Sequence, residues 1–560
     1  MRRPFLLFAG LPLLLHAQQF DYDWSGVISS VPPGTAGYID DLEVNSMGNA
    51  VGYGYMGNVT GFDLGLDESV YIIDCNAENA FLCMYDNEGG ILWGGPFTSE
   101  ERVLVHDLEV LPNNDFLVTL TASAPVDMEP LFGVTDVTTT NTGGGEFIVL
   151  AKYDFEGTLL WALPLEGNYT GARPEIAALP DGSFYLTCEV TTAGPSSFVD
   201  IDPGTNTTTL SLSGLRNFIA YYTADADLVW HFDYGAGLLA GGLSPMDVGV
   251  DGNNDLIVVG LQDADVDFDP APGDQTTPLN GPTAYVAKYT VGGSLAWVRT
   301  ITGMDITAQT LWAYDMLVNP QDEIFVSGRF FEGSIDLDPG PGEDLVPSAG
   351  GHDIWMMRFD PAGAVVWAQT FGTTAHDNSE DMCFLGNGDI LLGQKDQIAS
   401  TGAFPLSIIS AADGSVLQQY PQVWQQTIGA LGSGFGELYI SGQFNGLAMG
   451  DLTSGNVILQ GGDDIYLSHY VSEITSAIMG ADPTSAFELA PNPATEQLVL
   501  RTAQDLPSGA SIQVVDAMGK TLRSIPWSGN GTTIQVGDLV SGPYILRYAD
   551  RAPQRFLVAH

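Results

Sequence analysis

The sequence predicts an all-β protein, a seven-bladed β-propeller followed by a small Ig-like β-sandwich, and three observations carry that reading. A unit of about 68 residues recurs up to about residue 470. Each unit is a run of short alternating apolar and polar segments, the period of half-buried strands. Gly, Asn, Asp and Pro separate the segments as turns do, which argues against helices.

Residues 1–17 (MRRPFLLFAGLPLLLHA) join two arginines to an apolar run and a small residue before Gln18, the pattern of a secretory signal. The run is too short for a stable membrane anchor, and no other stretch reaches 18 apolar residues, so no transmembrane anchor is expected in the mature chain.

Residues 20–26 (FDYDWSG) come next and carry Trp24, 69 residues ahead of Trp93. The repeats follow, clearest in one strand and the turn after it: 80–93 (AFLCMYDNEGGILW), 147–161 (FIVLAKYDFEGTLLW) and 284–297 (AYVAKYTVGGSLAW). Weaker copies occupy 218–230 and 353–367, and a copy at 406–418 has lost the tryptophan. Trp93, Trp161, Trp230, Trp297 and Trp367 stand 68, 69, 67 and 70 residues apart. The expected unit has a first strand opened by an acid (246–250, MDVGV), a Gly/Asn turn (251–255, DGNND) and an apolar second strand (256–260, LIVVG). A third segment ending in an acidic Pro/Gly turn and the AKY strand as the fourth complete it. Such units bury their faces only by stacking, and a ring of sheets also removes exposed edges. A seventh AKY-like segment at 464–470 (DIYLSHY) has no tryptophan strand, so the N-terminal strand is expected to complete that blade and close the ring. With an opening Asp, a GN turn, a DxDPG turn and the AKYD..G.xxW ending, the units of about 20–473 resemble the β-propeller repeats of secreted Bacteroidetes proteins.

A linker, 474–487, leads to 488–560, where charge already marks a separate domain. The chain has 17 basic and 69 acidic residues, a net charge of −52, yet 484–560 contains six of each. Without Arg2 and Arg3, nine basic residues face 63 acidic ones on 18–483. Alternating segments at 497–501, 511–515, 533–536, 544–548 and 555–558 predict the sandwich. The motifs APNPA (490–494), VVDAMGK (514–520) and LVSGPYIL (539–546) resemble the type A sorting domain of the type IX secretion system, through Pro491, Asn492, Pro493, Gly519, Gly542 and Tyr544. The ending FLVAH lacks the lysine common there. That resemblance implies the type IX machinery as a partner, a secreted or cell-surface location, and removal of the domain on export.

Nucleic acid is excluded as a partner, because its affinity is built from Lys and Arg neutralising phosphates. The acidity suits divalent cations, calcium first among them, and equally suits a solvated surface from a salty habitat. Four cysteines make no disulfide framework. Cys75 and Cys83 are close enough in sequence to bridge a hairpin, Cys188 and Cys383 read as buried thiols, and no zinc spacing is present.

Two acidic series are candidate sites. Asp41, Asp107, Glu175, Asp247, Asp315 and Asp381 open the first strands of six units, spaced 66, 68, 72, 68 and 66, with no counterpart near Thr427. On the innermost strands they would ring one mouth of the channel and attract calcium or a cationic ligand, or serve each blade by accepting backbone N–H bonds. The pairs Asp200/Asp202, Asp267/Asp269 and Asp336/Asp338, with weaker forms at Asp63/Asp67 and Asp127/Glu129, present half a calcium shell or a solvated turn. The tryptophans read as packing between blades, with sugar stacking as the other use. His106–Asp107 and His376–Asp377 have no nucleophile elbow beside them, and no catalytic residue is assigned. The functional expectation is a non-enzymatic binding or adhesion module for an extracellular glycan or protein. The alternatives are a polysaccharide hydrolase or lyase, which needs a few non-repeated acids or a His converging on the central pocket, and a structural surface-layer component. An asymmetric cluster of His, Arg and aromatic residues at the channel mouth favours the enzyme, and a uniform ring favours binding or structure.

Overall fold

A computed structural model describes residues 20–31, residues 37–472 apart from short segments of which the longest is 396–405, and within 487–558 chiefly the strands. The signal at 1–17, most of the linker, Asp67 and Cys75 lie outside the described residues. So do four sorting-motif positions, Pro491, Asn492, Pro493 and Gly519.

Every regular element among the described residues is a strand. Among the described residues of 20–472 seven antiparallel sheets follow one another, five of four strands and two extended to six by a further hairpin on the outermost strand. Their first strands are Tyr38–Val44, Val103–Val110, Tyr169–Ala178, Leu243–Val250, Leu311–Val318, Asn378–Phe384 and Ala430–Gly434. Each first strand packs against the next, and Ala430–Gly434 packs against Tyr38–Val44, so the order of contacts is cyclic. This is the arrangement of a β-propeller, with the first strands innermost.

The seventh sheet is completed from the far end of the chain. Phe20–Val31 pairs antiparallel with Ile458–Ser472, Phe20 opposite Ser472 and Ile28 opposite Ile465. His469 on the receiving strand lies buried between two carboxylates, Nδ1 3.2 Å from Asp23 and Nε2 3.1 Å from Glu437. Tyr439 Oη donates to Gly48 O at 2.8 Å, joining the seventh sheet to the first.

The tryptophans show how sheet meets sheet. Trp24, Trp93, Trp230, Trp297 and Trp367 stand on outermost strands, and the indole N–H of each donates to a carbonyl in the turn before the outermost strand of the next sheet. Trp24 bonds Asn87 O (2.9 Å), Trp93 bonds Phe155 O (3.0 Å), Trp230 bonds Val291 O (3.1 Å), Trp297 bonds Pro361 O (3.2 Å) and Trp367 bonds Ala411 O (2.9 Å). The same turns place Gly89, Gly157, Gly293, Gly363 and Gly414 at positive φ against the ring faces. A Cβ at Gly363 would stand 2.7 Å from the Trp297 ring, so glycine is required there for both conformation and space.

The AKY position supplies a second recurring contact. Lys152 pairs with Asp115 at 3.6 Å, Lys288 with Asp251 at 2.5 Å and Asp255 at 3.4 Å, and Arg358 with Glu323, so a cation of the third strand meets an acid of the first turn. His469 with Glu437 is the seventh sheet's version.

The strand order within a unit differs from the expectation. The AKY segment is the third strand, as Thr283–Tyr289 beside Leu256–Gln262 shows, and the tryptophan segment is the fourth. The acidic segment instead makes a hairpin beyond the four strands, separate as in Phe198–Asp200 with Thr209–Ser211 or joined to an outermost strand as Ser334–Asp336 is to Leu295–Met304. Two acids within three residues leave too little apolar surface for a strand buried on both faces.

The C-terminal residues form sheets of three and four strands around Leu498, Leu500, Ile512, Val514, Ile534 and Leu546. Tyr544 is buried in this core, and Gly542 opens its strand. Strands Phe487–Ala490 and Thr521–Pro526 are additional to those the sequence predicted.

Candidate functional site

The first strands enclose a cavity of about 1270 Å³ that runs from Asp40, Tyr314 and Glu380 at one end to Pro112, Pro320 and Asn387 at the other. The end where the first strands begin is called upper here. Asp41, Asp107, Asp247, Asp315 and Asp381 line the cavity, and Glu175 lies near enough to Asp107 and Asp247 to be charged against both.

Three of these acids, Asp107, Asp247 and Asp381, tie neighbouring sheets together, while Asp315 Oδ2 is buried without a hydrogen-bond partner among the described residues. Asp107 Oδ1 accepts from Leu108 N at 2.8 Å, while its Oδ2 accepts from Ile176 N of the next sheet at 2.7 Å. Asp247 repeats this with Val248 N and Met316 N, both at 2.7 Å. Asp381 Oδ2 takes Leu431 N at 2.6 Å, so Ala430 is the seventh sheet's counterpart. In five sheets a β-bulge immediately precedes the acid, at 39/41, 105/107, 245/247, 313/315 and 379/381, and it re-aims the strand. The expected bonds to backbone N–H are thus present, and they also cross between sheets.

Two further channel acids escaped the sequence reading. Glu43 and Glu109 stand two residues beyond Asp41 and Asp107, on the same strand face. Their counterparts Ala177, Gly249, Leu317 and Cys383 carry no charge, so a search for recurrence could not find them. Burial and mutual repulsion push Glu43 up to about 8, with Asp107 and Asp381 as the repelling charges. Burial also pushes Asp107 up to about 7 against two backbone bonds that lower it, and raises Asp247 to about 8 with help from Asp107. Asp41, Glu109, Glu175, Asp315 and Asp381 are held well above the usual range, first by burial and then by neighbouring carboxylates. All retain some accessible surface, which faces channel water and moderates the cost of charging them.

The hairpin acids occupy a different place. Asp200 Oδ1 accepts from Asp202 N (3.2 Å) and Thr208 N (2.7 Å), and Asp336 Oδ1 from Asp338 N (3.0 Å) and Asp344 N (2.8 Å). Asp267 Oδ1 takes Asp269 N at 3.1 Å, and Asp63 and Asp127 hold their own hairpins in the same manner. In the pairs Asp200/Asp202 and Asp267/Asp269 the carbonyl between the acids is the docking point for the AKY tyrosine, Tyr222 Oη donating to Ile201 O (2.6 Å) and Tyr289 Oη to Phe268 O (2.9 Å), whereas Phe359 takes the tyrosine's place for Asp336/Asp338. Among the described residues no group of three or more His, Cys, Asp or Glu is gathered so as to hold a metal ion.

Cys83 is a free thiol buried among apolar neighbours on a central strand, which corrects the expected bridge to Cys75. Cys188 and Cys383 are buried thiols too.

The upper end carries side chains that do not recur. On sheet two, His106 Nε2 meets Thr121 Oγ1 at 3.0 Å, and burial together with Arg173 and Arg102 lowers this imidazole to about 4. On sheets five and six, Arg329 lies over the stacked rings of Trp312 and Tyr314, 5.8 and 5.1 Å from their centroids, and Nη1 donates to Asn378 Oδ1 at 2.9 Å. His352 Nδ1 reaches the same Asn378 oxygen at 3.0 Å, and the rings of His352 and His376 meet edge to face at 4.9 Å.

Residues 488–556 match the family described as the secretion system C-terminal sorting domain. The chain is therefore sorted by the type IX system to the cell surface or the extracellular space. No curated protein matches the sequence. Among solved structures, a protein of unknown function from Bacteroides caccae is 11% identical, with 69% of this chain and 94% of that one covered at a TM-score of 0.29. A puromycin hydrolase mutant is 12% identical (84% and 61% covered, TM-score 0.38), and a PL25 ulvan lyase 8% identical (77% and 95% covered, TM-score 0.36). At such scores none of them carries an argument about activity. Among the described residues no helix is long and apolar enough to cross a membrane.

Proposed function

We propose that the exported chain is a non-enzymatic binding module at the cell surface, presenting the upper end of its ring to an extracellular glycan or protein. One observation carries this reading. The recurrent acids, tryptophans and cations are engaged in holding sheet to sheet, whereas the non-recurrent His, Arg and aromatic side chains collect at the upper end. Ligand sites sit where variation is carried on a rigid frame. Calcium is the cation this reading includes, at the hairpin pairs Asp200/Asp202, Asp267/Asp269 and Asp336/Asp338 or among the channel acids, since paired carboxylates exported to a calcium-rich exterior suit it.

The same His, Arg and aromatic cluster favours a second reading, a polysaccharide hydrolase or lyase. One experiment separates the two. The secreted protein is passed over immobilised polysaccharides in calcium and in EDTA, and the soluble fraction is assayed for released sugar. Retention without release supports the binding module, and release establishes the enzyme. Absence of retention on every polymer leaves a protein partner or a structural surface role, and removes the glycan.

A further inference from the structure

So acidic a chain has few cations, and most of those on the propeller have recurring partners. Of the nine basic residues on 18–483, Lys152, Lys288 and Arg358 are spent on first-turn acids, Arg216 pairs with Asp233 at 3.7 Å, and Arg299 caps Gly363 O at 2.7 Å. Arg329 belongs to none of these recurring contacts. Its guanidinium is oriented by the Trp312 and Tyr314 rings below it and by Asn378 at one nitrogen, while Nε is buried with no hydrogen-bond partner. Nε is closed to solvent, but Nη2 has no partner among the described residues and the side chain is only half-buried, so the Nη edge is the one left for an oxyanion, which a guanidinium grips with its N–H donors.

The imidazoles beside it extend the donor set. Asn378 Oδ1 accepts from Arg329, so it is an acceptor for His352 as well, and the His352 proton is on Nδ1. His376 Nδ1 accepts from His352 N at 3.2 Å, which places the proton of neutral His376 on Nε2. Neither Nε2 has a partner among the described residues, and neither is among the buried atoms lacking one, so both reach solvent. One offers an N–H and the other a lone pair. Phe331, stacked on His376 with ring centroids 5.8 Å apart, adds a flat apolar flank. Glu380 next to Tyr314, and Asp377, whose backbone N–H donates to His352 O at 2.7 Å, are carboxylates bearing on the site.

We propose that Arg329, His352 and His376, on the upper end of sheets five and six, form a subsite for an oxyanion carried on a sugar ring, the carboxylate of a uronate or the sulfate of a sulfated pyranose. Arg329 binds the anion, the two imidazoles bond ring hydroxyls as donor and acceptor, and the aromatic flank covers the C–H face of the sugar. This rests on the reading of the chain as a glycan-binding module and names the class of glycan.

Short oligosaccharides are the right probe, because 63 surrounding acids repel a long polyanion. The secreted protein is titrated in EDTA and 0.15 M salt, a screening length of about 8 Å, with trigalacturonate, a sulfated trisaccharide, a neutral trisaccharide and inorganic sulfate. Binding of either charged trisaccharide, with the neutral one at least about tenfold weaker, is the expected result. Arg329→Gln should weaken the charged ligand by about tenfold or more and leave the neutral one unchanged. His376→Gln, at the half-buried periphery, gives a second readout should Arg329→Gln fail to fold, and it should weaken the sugar without changing the thermal midpoint. Equal binding of inorganic sulfate, equal binding of the neutral sugar, or affinity indifferent to both substitutions overturns the proposal. Retention on polysaccharide that requires calcium and ignores Arg329 would keep the binding module and remove this subsite.

Discussion

At the residue scale the tryptophan that recurs at fixed spacing is a fastener between sheets. Its indole makes one hydrogen bond to a turn carbonyl and covers a glycine that tolerates no side chain. Trp93 is 6% exposed, so Trp93→Ala leaves a cavity between the first two sheets and removes that bond. The expected loss is about 3–5 kcal/mol in denaturant unfolding, with Trp93→Phe losing less. A change below about 0.5 kcal/mol would make the contact incidental. The spacing was legible because the contact recurs; the acceptor was not, because Phe155 lies 62 residues further on.

At the element scale the first strand and the hairpin use the same residue type for different ends. The first-strand acids staple adjacent sheets, and their crowding has a consequence for pH. Glu43, Asp107 and Asp247 titrate near 8, 7 and 8 in the folded chain and near 4 unfolded. Between about pH 4 and pH 8 the folded state therefore holds more protons than the unfolded, and stability falls as pH rises through that window. The thermal midpoint in calcium-free buffer should be lower at pH 8.5 than at pH 5. Glu43→Gln should flatten the decline, since an amide has no proton to release; a slope that persists unchanged assigns the decline elsewhere.

The hairpin acids give a separate test. If calcium seats at Asp267 and Asp269, it raises the thermal midpoint by binding the folded state alone, and Asp267→Asn with Asp269→Asn abolishes the gain. No calcium-dependent gain in the parent protein ends that assignment. Asp267 has a structural bond besides, to Asp269 N, so the comparison is the calcium increment and not the baseline midpoint.

At the scale of the whole molecule the cyclic order of the sheets depends on a strand from the first 31 residues. Phe20–Val31 supplies the seventh sheet's outermost strand, places Trp24 on the turn of the first sheet, and sets Asp23 against buried His469. Deleting residues 18–30 removes all three at once. The melting midpoint should fall by far more than fraying of an ordinary terminus causes, because an edge strand, a fastener and the Asp23 contact to buried His469 are lost together. An unchanged melt would sink this account of closure.

The sequence alone determined the all-β class, the length of the repeat, the need for an N-terminal strand in the last sheet, and the sorting domain. Each is written in local patterns that repeat or in a contiguous motif: alternation, turn residues, Trp spacing, APNPA and LVSGPYIL. Tertiary structure decided which segment is the third strand and which leaves the sheet, since AKY and the acidic segment are told apart by what they bury. It alone placed Glu43 and Glu109 in the channel and joined Arg329, His352, His376 and Asn378, residues up to 49 positions apart. Those residues occur once each, and a side chain without a repeat leaves no periodic trace; only the path of the chain through three dimensions brings it to its partners.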